Sequence, residues 1–135
     1  MRVVRWGLLV LALAVLGLAV GLPNTTLAWL RADYPWLGQP LNRIEHLSDT
    51  VGLVHVLMFA ALAFAASLAF ARTRPWGLAA ALVGFAVLTE VAQWWVPGRT
   101  PRVSDVGEDV LGVMVGLALG GCLRWACGRL PRNAD

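Results

Sequence analysis

Long apolar runs alternate with short polar segments along this chain. Four runs, at about residues 6–22, 51–71, 76–96 and 106–126, carry few charged residues and have the length of a transmembrane helix. Pro23 ends the first run and Pro97-Gly98 ends the third, where a helix does not readily continue. The pattern predicts an all-α, polytopic membrane protein: a four-transmembrane-helix bundle with a long loop over residues 23–50.

Composition agrees with this pattern. Of the 135 residues, 59% are hydrophobic, and the mean hydropathy is +0.69. Four spans leave little more than loops, so we expect one membrane domain over residues 1–135. The first run, with its basic start and small residues at Ala19 and Gly21, also fits a secretory signal. We favour its retention, because the apolar stretch is long for a signal core.

The arginines indicate the orientation of the spans. The net charge is +3, and all eleven basic residues are arginine. If the N-terminus is cytoplasmic, the inner side carries seven arginines and the outer side four, which is the distribution that the positive-inside rule favours. We therefore expect both termini to be cytoplasmic. The inner set is Arg2, Arg5, Arg72, Arg74, Arg124, Arg129 and Arg132, and the outer set is Arg31, Arg43, Arg99 and Arg102.

The loop over residues 23–50 then lies outside. Asn24 or Thr25 can cap one short helix in it, and Asn42 can cap another. Apolar residues such as Trp29 and Trp36 suit helices that lie along the membrane surface. Simple anchoring at the interface is the leading interpretation, and a lid over a site is the alternative.

Polar side chains gather at the outer ends of three spans. A lone charge at the bilayer centre costs roughly 2.5–3.5 kcal/mol, so these groups should face one another. Glu90 is the deepest, and we expect it to be protonated or paired with His55, Arg99 or Gln93. The candidates for ligand binding are Arg99, Glu90, Gln93, His55, Asp105 and Asp109, and those for catalysis are His55, Glu90 and Asp105.

The fourth span combines acids and glycines on one face. Asp105 and Asp109 fall within about 80° of arc of three glycines, Gly112, Gly116 and Gly120, which suits close helix packing. A stripe on the second span, beginning at His55 and Phe59, is the expected counterpart. Glu108 points off this face and should be solvated, and Ser104 should cap the span. Cys122 and Cys127 face different directions, so we expect no disulfide.

These residues resemble a family signature. The segment TEVAQWWVPGRTPRVSDVGEDVLGVMVG (residues 89–116) is similar to that of VanZ-like membrane proteins: Glu-x-x-Gln, a Pro-Gly-Arg turn, an Asp six residues later, and Gly-x-x-x-Gly. His55 followed by Phe59 matches a second element. The resemblance covers roughly residues 50–120, and it includes the preceding span by topology. Asp109 departs from it, because the family usually has Asn there, and Asp49, six residues before His55, stands in place of an Asp-Lys pair.

The resemblance implies a multi-pass protein of the bacterial inner (cytoplasmic) membrane that acts at the cell envelope. The family is named for a protein associated with low-level resistance to the glycopeptide teicoplanin, and it supplies no reaction. The leading hypothesis is a site for an envelope lipid, an isoprenoid or a phospholipid, whose anionic headgroup is held by Arg99 through a charge-assisted fork.

Three alternatives stay open. An intramembrane enzyme would use His55 and Glu90 as base and acid. A proton-coupled transporter would need more spans or an oligomer. In a scaffold, Glu90, Arg99 and Asp105 would form an interhelical clasp, that is, salt bridges that only hold the helices together. Such a protein could form a homo- or hetero-oligomer through the glycine face of the fourth span. No His-Glu-x-x-His spacing is present, and we expect no metal, no cofactor and no nucleic-acid partner.

Overall fold

The chain folds into six α-helices in the part that the computed structural model describes, residues 2–45, 47 and 52–129, and no strand occurs there. Asp49 and Arg132, used above to interpret the sequence, lie outside the described residues. The all-α prediction is confirmed. The helices are α1 (Arg2–Gly21), α2 (Asn24–Asp33), α3 (Pro35–Glu45), α4 (Leu53–Ala69), α5 (Pro75–Ala92) and α6 (Val103–Arg129), with a 3-10 turn at Gln93–Trp95.

Each of the four apolar runs forms a helix, but the lengths differ from those predicted. Two segments in the described residues are long and apolar enough to cross a membrane, Pro75–Trp95 and Val103–Cys127. A third candidate arises if Trp6–Gly21 and Asn24–Asp33, which meet at an angle of 114°, count as one broken span. Helix α4 is apolar but has only 17 residues, four fewer than the 21 expected over 51–71.

Contacts between helix ends define how the bundle is arranged. Helices α4 and α6 run parallel, because Asp109 lies beside His55 near the start of both, and Arg124 donates to the carbonyl oxygen of Ser67 near their ends. Helix α1 runs the opposite way, since its first turns place Trp6 edge-on to Phe70, with ring centroids 5.1 Å apart. We call the end where α4 and α6 begin and α1 ends the polar end.

The core between α1, α4, α5 and α6 is built from small residues around a few large ones. Phe59, Leu62 and Val113 are fully buried, and buried alanines of α4 let its neighbours approach closely. All seven tryptophans are at least 47% exposed. They therefore contribute to the surface rather than to the core, as expected for side chains that favour a membrane–water interface.

The two short helices α2 and α3 confirm that residues 24–33 and 35–45 of the predicted outer loop are helical, but the predicted caps are wrong. Asn24 does not cap α2; its side-chain amide donates to the carbonyl oxygen of Gly98 instead. Asn42 lies inside α3, which begins at Pro35. Ser104 likewise lies inside α6 and donates to Asp105. Cys122 and Cys127 are both free thiols on exposed positions.

Candidate functional site

The glycine face of α6 lies directly against α4. A Cβ atom added at Gly112 would be 2.4 Å from the carbonyl oxygen of Val56, and one added at Gly116 would be 2.2 Å from that of Ala60. At Gly120 it would overlap the Ser67 hydroxyl. Only glycine permits this approach, because the atoms opposite are mostly backbone. The glycine face of α6, which the sequence suggested as an oligomer interface, is therefore covered by α4 of the same chain.

One turn above this contact, the same two helices bring a histidine and an aspartate together. The Nδ1 atom of His55 lies 3.1 Å from Oδ1 of Asp109. Asp109 is only 1% exposed, whereas the His55 side chain is 31% exposed. The carboxylate thus fixes the orientation of the imidazole from below, and the ring remains accessible.

Two glutamates hold the residues that precede helices. Oε1 of Glu90 accepts a hydrogen bond from the backbone N–H of Arg102, immediately before α6. Oε1 of Glu108 accepts one of 2.7 Å from the backbone N–H of Gly52, immediately before α4. Negative charge is favourable at these positions because helix starts present unpaired N–H groups. The prediction that Glu108 is solvated is therefore wrong.

Arg99 lies in the turn between the 3-10 segment and α6 and reaches the end of α1. Its Nη2 atom donates to the carbonyl oxygen of Ala19, one of the last carbonyls of α1, which have no partner within the helix. Its Nε atom is buried and has no hydrogen-bond partner among the described residues. Burial lowers the pKa of Arg99, and the nearby positive charge of Arg31 lowers it further; the carboxylates of Glu90 and Asp105 oppose both effects.

The predicted clasp of Glu90, Arg99 and Asp105 is not formed as ion pairs among the described residues. The carboxylates act on Arg99 from beyond contact distance. Glu90 is instead committed to the Arg102 amide, and its Oε2 atom is buried without a partner. The physical reason is the path of the turn, which carries Arg99 away from α5 and toward α1.

A cavity of about 310 Å³ opens at the polar end. Apolar side chains of α1, α2 and α4 form most of its wall, among them Leu16, Leu27 and Leu30. Helix α2 lines it on one side through Leu27, Leu30 and Arg31. The polar residues that line the cavity are Arg31, His55, Thr89, Gln93, Arg99 and Asp109.

Four of the six predicted ligand-binding residues thus share one cavity: His55, Gln93, Arg99 and Asp109. Glu90 is buried behind the wall, and Asp105 is half-buried and bonded to Ser104. No group of three metal-ligating side chains converges in the described residues.

Sequence reasoning missed two polar residues of the cavity wall. Arg31 was used only as a marker of orientation, although its place on the helix next to Leu27 and Leu30 hinted that it shares their face. Thr89 was passed over beside Glu90; its hydroxyl donates to the carbonyl oxygen of Ala86.

These features define a helical protein with candidate membrane spans and, at one end of its bundle, a largely apolar cavity that also contains polar side chains. The model of the VanZ/LLP1 family matches residues 8–124, so the chain belongs to that family, as the resemblance predicted. No curated protein and no solved structure matches the chain.

Proposed function

We propose that this protein is a four-span inner-membrane protein, with both termini cytoplasmic, whose cavity holds the anionic headgroup of a cell-envelope lipid. The observation that carries this proposal is that two arginines, Arg31 and Arg99, line a cavity whose wall is otherwise largely apolar. Such a wall suits an amphiphile: the arginines suit phosphate or carboxylate oxygens, which accept charge-assisted hydrogen bonds, and the apolar side chains suit hydrocarbon.

The state of Arg99 supports an anion as the ligand. Arg31 and Arg99 both line the cavity, and the positive charge of Arg31 repels that of Arg99. A phosphate group between the two side chains would offset this repulsion, because its oxygens carry negative charge and accept charge-assisted hydrogen bonds.

The four-span topology rests on the parallel contact of α4 and α6. Helix α4 is about 25 Å long at 1.5 Å per residue, which is short of a hydrocarbon core of about 30 Å. However, it lies alongside α6, a candidate span, from His55 to Ser67. It therefore crosses the same depth, and local thinning of the bilayer accommodates the shortfall. Family membership adds the proposal of a role at the cell envelope, in the response to glycopeptide antibiotics such as teicoplanin.

Native mass spectrometry of the protein purified from bacterial membranes tests the proposal. We expect wild type to retain a lipid phosphate, and Arg99→Gln to lose it by about tenfold or more, because a charge-assisted hydrogen bond contributes about 1.5–3 kcal/mol. Arg99→Lys should give an intermediate loss, since it keeps the charge but not the fork. Arg43→Gln, an equal change of charge at an exposed position outside the cavity wall, is the control.

Equal lipid retention in all variants, with each protein still folded, would overturn the headgroup proposal. It would favour the scaffold interpretation, in which the polar end only joins helices.

A second candidate function is hydrolysis of an ester bond in the bound lipid, and the contact between His55 and Asp109 favours it. His55 would take a proton from a water molecule, and the water oxygen would bond to the acyl carbon or the phosphorus. The alcohol oxygen would leave as its bond to that atom breaks, and it would take up the proton from His55. A carboxylate that binds one ring nitrogen of a histidine orients the other toward a substrate, as in many hydrolytic sites. Incubation of the purified protein with a lipid extract, followed by mass analysis of the bound lipid, tests this function. A changed lipid mass that disappears in His55→Gln and Asp109→Asn would support it, whereas an unchanged mass in wild type would leave binding alone.

A further inference from the structure

A second concavity, an open groove lined by apolar side chains, runs between α1 and α4. Its volume is about 480 Å³. It shares Val15, Val54 and Met58 with the cavity at the polar end, so the two spaces adjoin. The groove is lined on its two sides by, among others, Leu8, Leu11, Ala12, Val54, Ala61 and Ala65.

The length of this groove matches one membrane leaflet. Its wall on α4 extends from Val54 to Ala65, and eleven steps at 1.5 Å give about 16 Å along the helix. Half of a hydrocarbon core of about 30 Å is about 15 Å. The groove therefore reaches from the level of the cavity to about the bilayer centre, the depth that a single acyl chain spans.

We propose that the groove holds one acyl chain of an anionic glycerophospholipid whose phosphate lies at Arg99. This inference rests on the proposed function and specifies its ligand. The adjoining wall at Val15, Val54 and Met58 places the apolar groove directly next to the cavity that contains Arg99, and a phospholipid likewise has its hydrocarbon next to its phosphate. A polyprenyl phosphate has a chain much longer than one leaflet, so the groove would hold only a part of that chain.

Photo-cross-linking of wild-type protein tests the position of the chain without any substitution. The protein, reconstituted in nanodiscs, is given phosphatidylglycerol with a diazirine near the middle of one acyl chain. We expect the label on peptides covering residues 8–15 and 54–65, several-fold above that on the exposed face of α5. An even distribution over all lipid-exposed helices would overturn the inference.

A substitution that fills the groove gives a second test. Ala61 is exposed and lines the groove, so Ala61→Trp occupies it with little disturbance of the core. Ala80→Trp, at an exposed position on α5 outside the groove, is the matched control. We expect phosphatidylglycerol retention in native mass spectra to fall by about fivefold or more in Ala61→Trp, a loss that corresponds to about 1 kcal/mol, and to stay at the wild-type level in Ala80→Trp.

Failure of the inference is distinguishable from failure of the proposed function. If Arg99→Gln releases the lipid while Ala61→Trp and Ala80→Trp behave alike, the headgroup site stands and the groove is not its acyl site. If wild type prefers undecaprenyl phosphate to phosphatidylglycerol in direct competition, the headgroup site again stands and the glycerophospholipid assignment is wrong. If Arg99→Gln retains phosphatidylglycerol as well as wild type does, the proposed function itself fails.

Discussion

Substitution of Gly116 by alanine should separate α4 from α6. The new Cβ atom would lie 2.2 Å from the carbonyl oxygen of Ala60 and 2.8 Å from Cβ of Ala63. Neither atom belongs to a flexible side chain that can turn aside. Ordinary contact begins at 3.4 Å, so the helices must move apart by about 1.2 Å, the difference between that distance and 2.2 Å.

Overpacking of this kind costs about 1–3 kcal/mol. We expect Gly116→Ala to lower the free energy of unfolding by that amount, measured by titration with SDS in mixed micelles and followed by tryptophan fluorescence. The separation should also disturb the 3.1 Å contact between His55 and Asp109, because Asp109 lies two turns away on the same face. The imidazole nitrogen shifts of His55 report this second effect.

Gly121→Ala is the control, since no atom of the described residues outside its own stretch of helix lies within 4 Å of a Cβ atom there. It makes the same chemical change on the same helix and can only gain helix propensity, by up to about 1 kcal/mol. If Gly116→Ala and Gly121→Ala shift the free energy of unfolding equally, the close contact between α4 and α6 is not what stabilises the bundle, and the reasoning is refuted.

Two further substitutions test the polar end. Glu90→Ala should lower the free energy of unfolding by about 1–3 kcal/mol and speed hydrogen exchange of the Arg102 amide, because that amide loses its acceptor. Glu90→Gln keeps an acceptor oxygen, so both effects should be smaller. Equal exchange of the Arg102 amide in the two variants would contradict the anchoring role of Glu90. Asp109→Asn should unfold like wild type, because an amide oxygen can still meet His55, but Asp109→Leu should be less stable by about 1–3 kcal/mol in the same titration. Identical midpoints for the two would show that the contact contributes nothing.

The depth of the polar residues could be predicted from the sequence because it depends only on local quantities. The position of His55 or Asp109 within an apolar run gives its distance from the helix start, at 1.5 Å per residue. The spacing of Gly112 and Gly116 gives their common face in the same way. These local rules correctly placed the polar residues at one level, where His55 and Asp109 meet.

The partners of the charged groups could not be predicted, because they depend on loop paths and helix rotations. Glu108 does not share the helix face of Asp105 and Asp109. Its carboxylate accepts a hydrogen bond from the backbone N–H of Gly52, which precedes α4 and is more than fifty residues away in the chain. Arg31 reaches the cavity because α2 turns by 114° against α1, and nothing in the periodicity of either helix specifies that angle. Arg99 donates to the carbonyl oxygen of Ala19 because of the path of the turn before α6, which the periodicity of the helices does not specify either.

The two sides of the cavity are therefore held with different rigidity. His55 and Asp109 stand on α4 and α6, whose backbones are in close contact over several turns. The turn that carries Arg99 is held by single hydrogen bonds: the Asn24 side chain donates to the carbonyl oxygen of Gly98, the Arg99 side chain donates to that of Ala19, and the backbone N–H of Arg102 donates to the carboxylate of Glu90.

Ligand binding should consequently order the turn and not the helices, since a ligand stabilises most the segment that opens at the lowest free energy. Hydrogen exchange measured with and without phosphatidylglycerol distinguishes the cases. We expect added protection of the amides over residues 98–102 and none over residues 112–120. Equal protection of both segments would mean that the lipid stabilises the whole bundle by surrounding it, and that it does not bind specifically at Arg99.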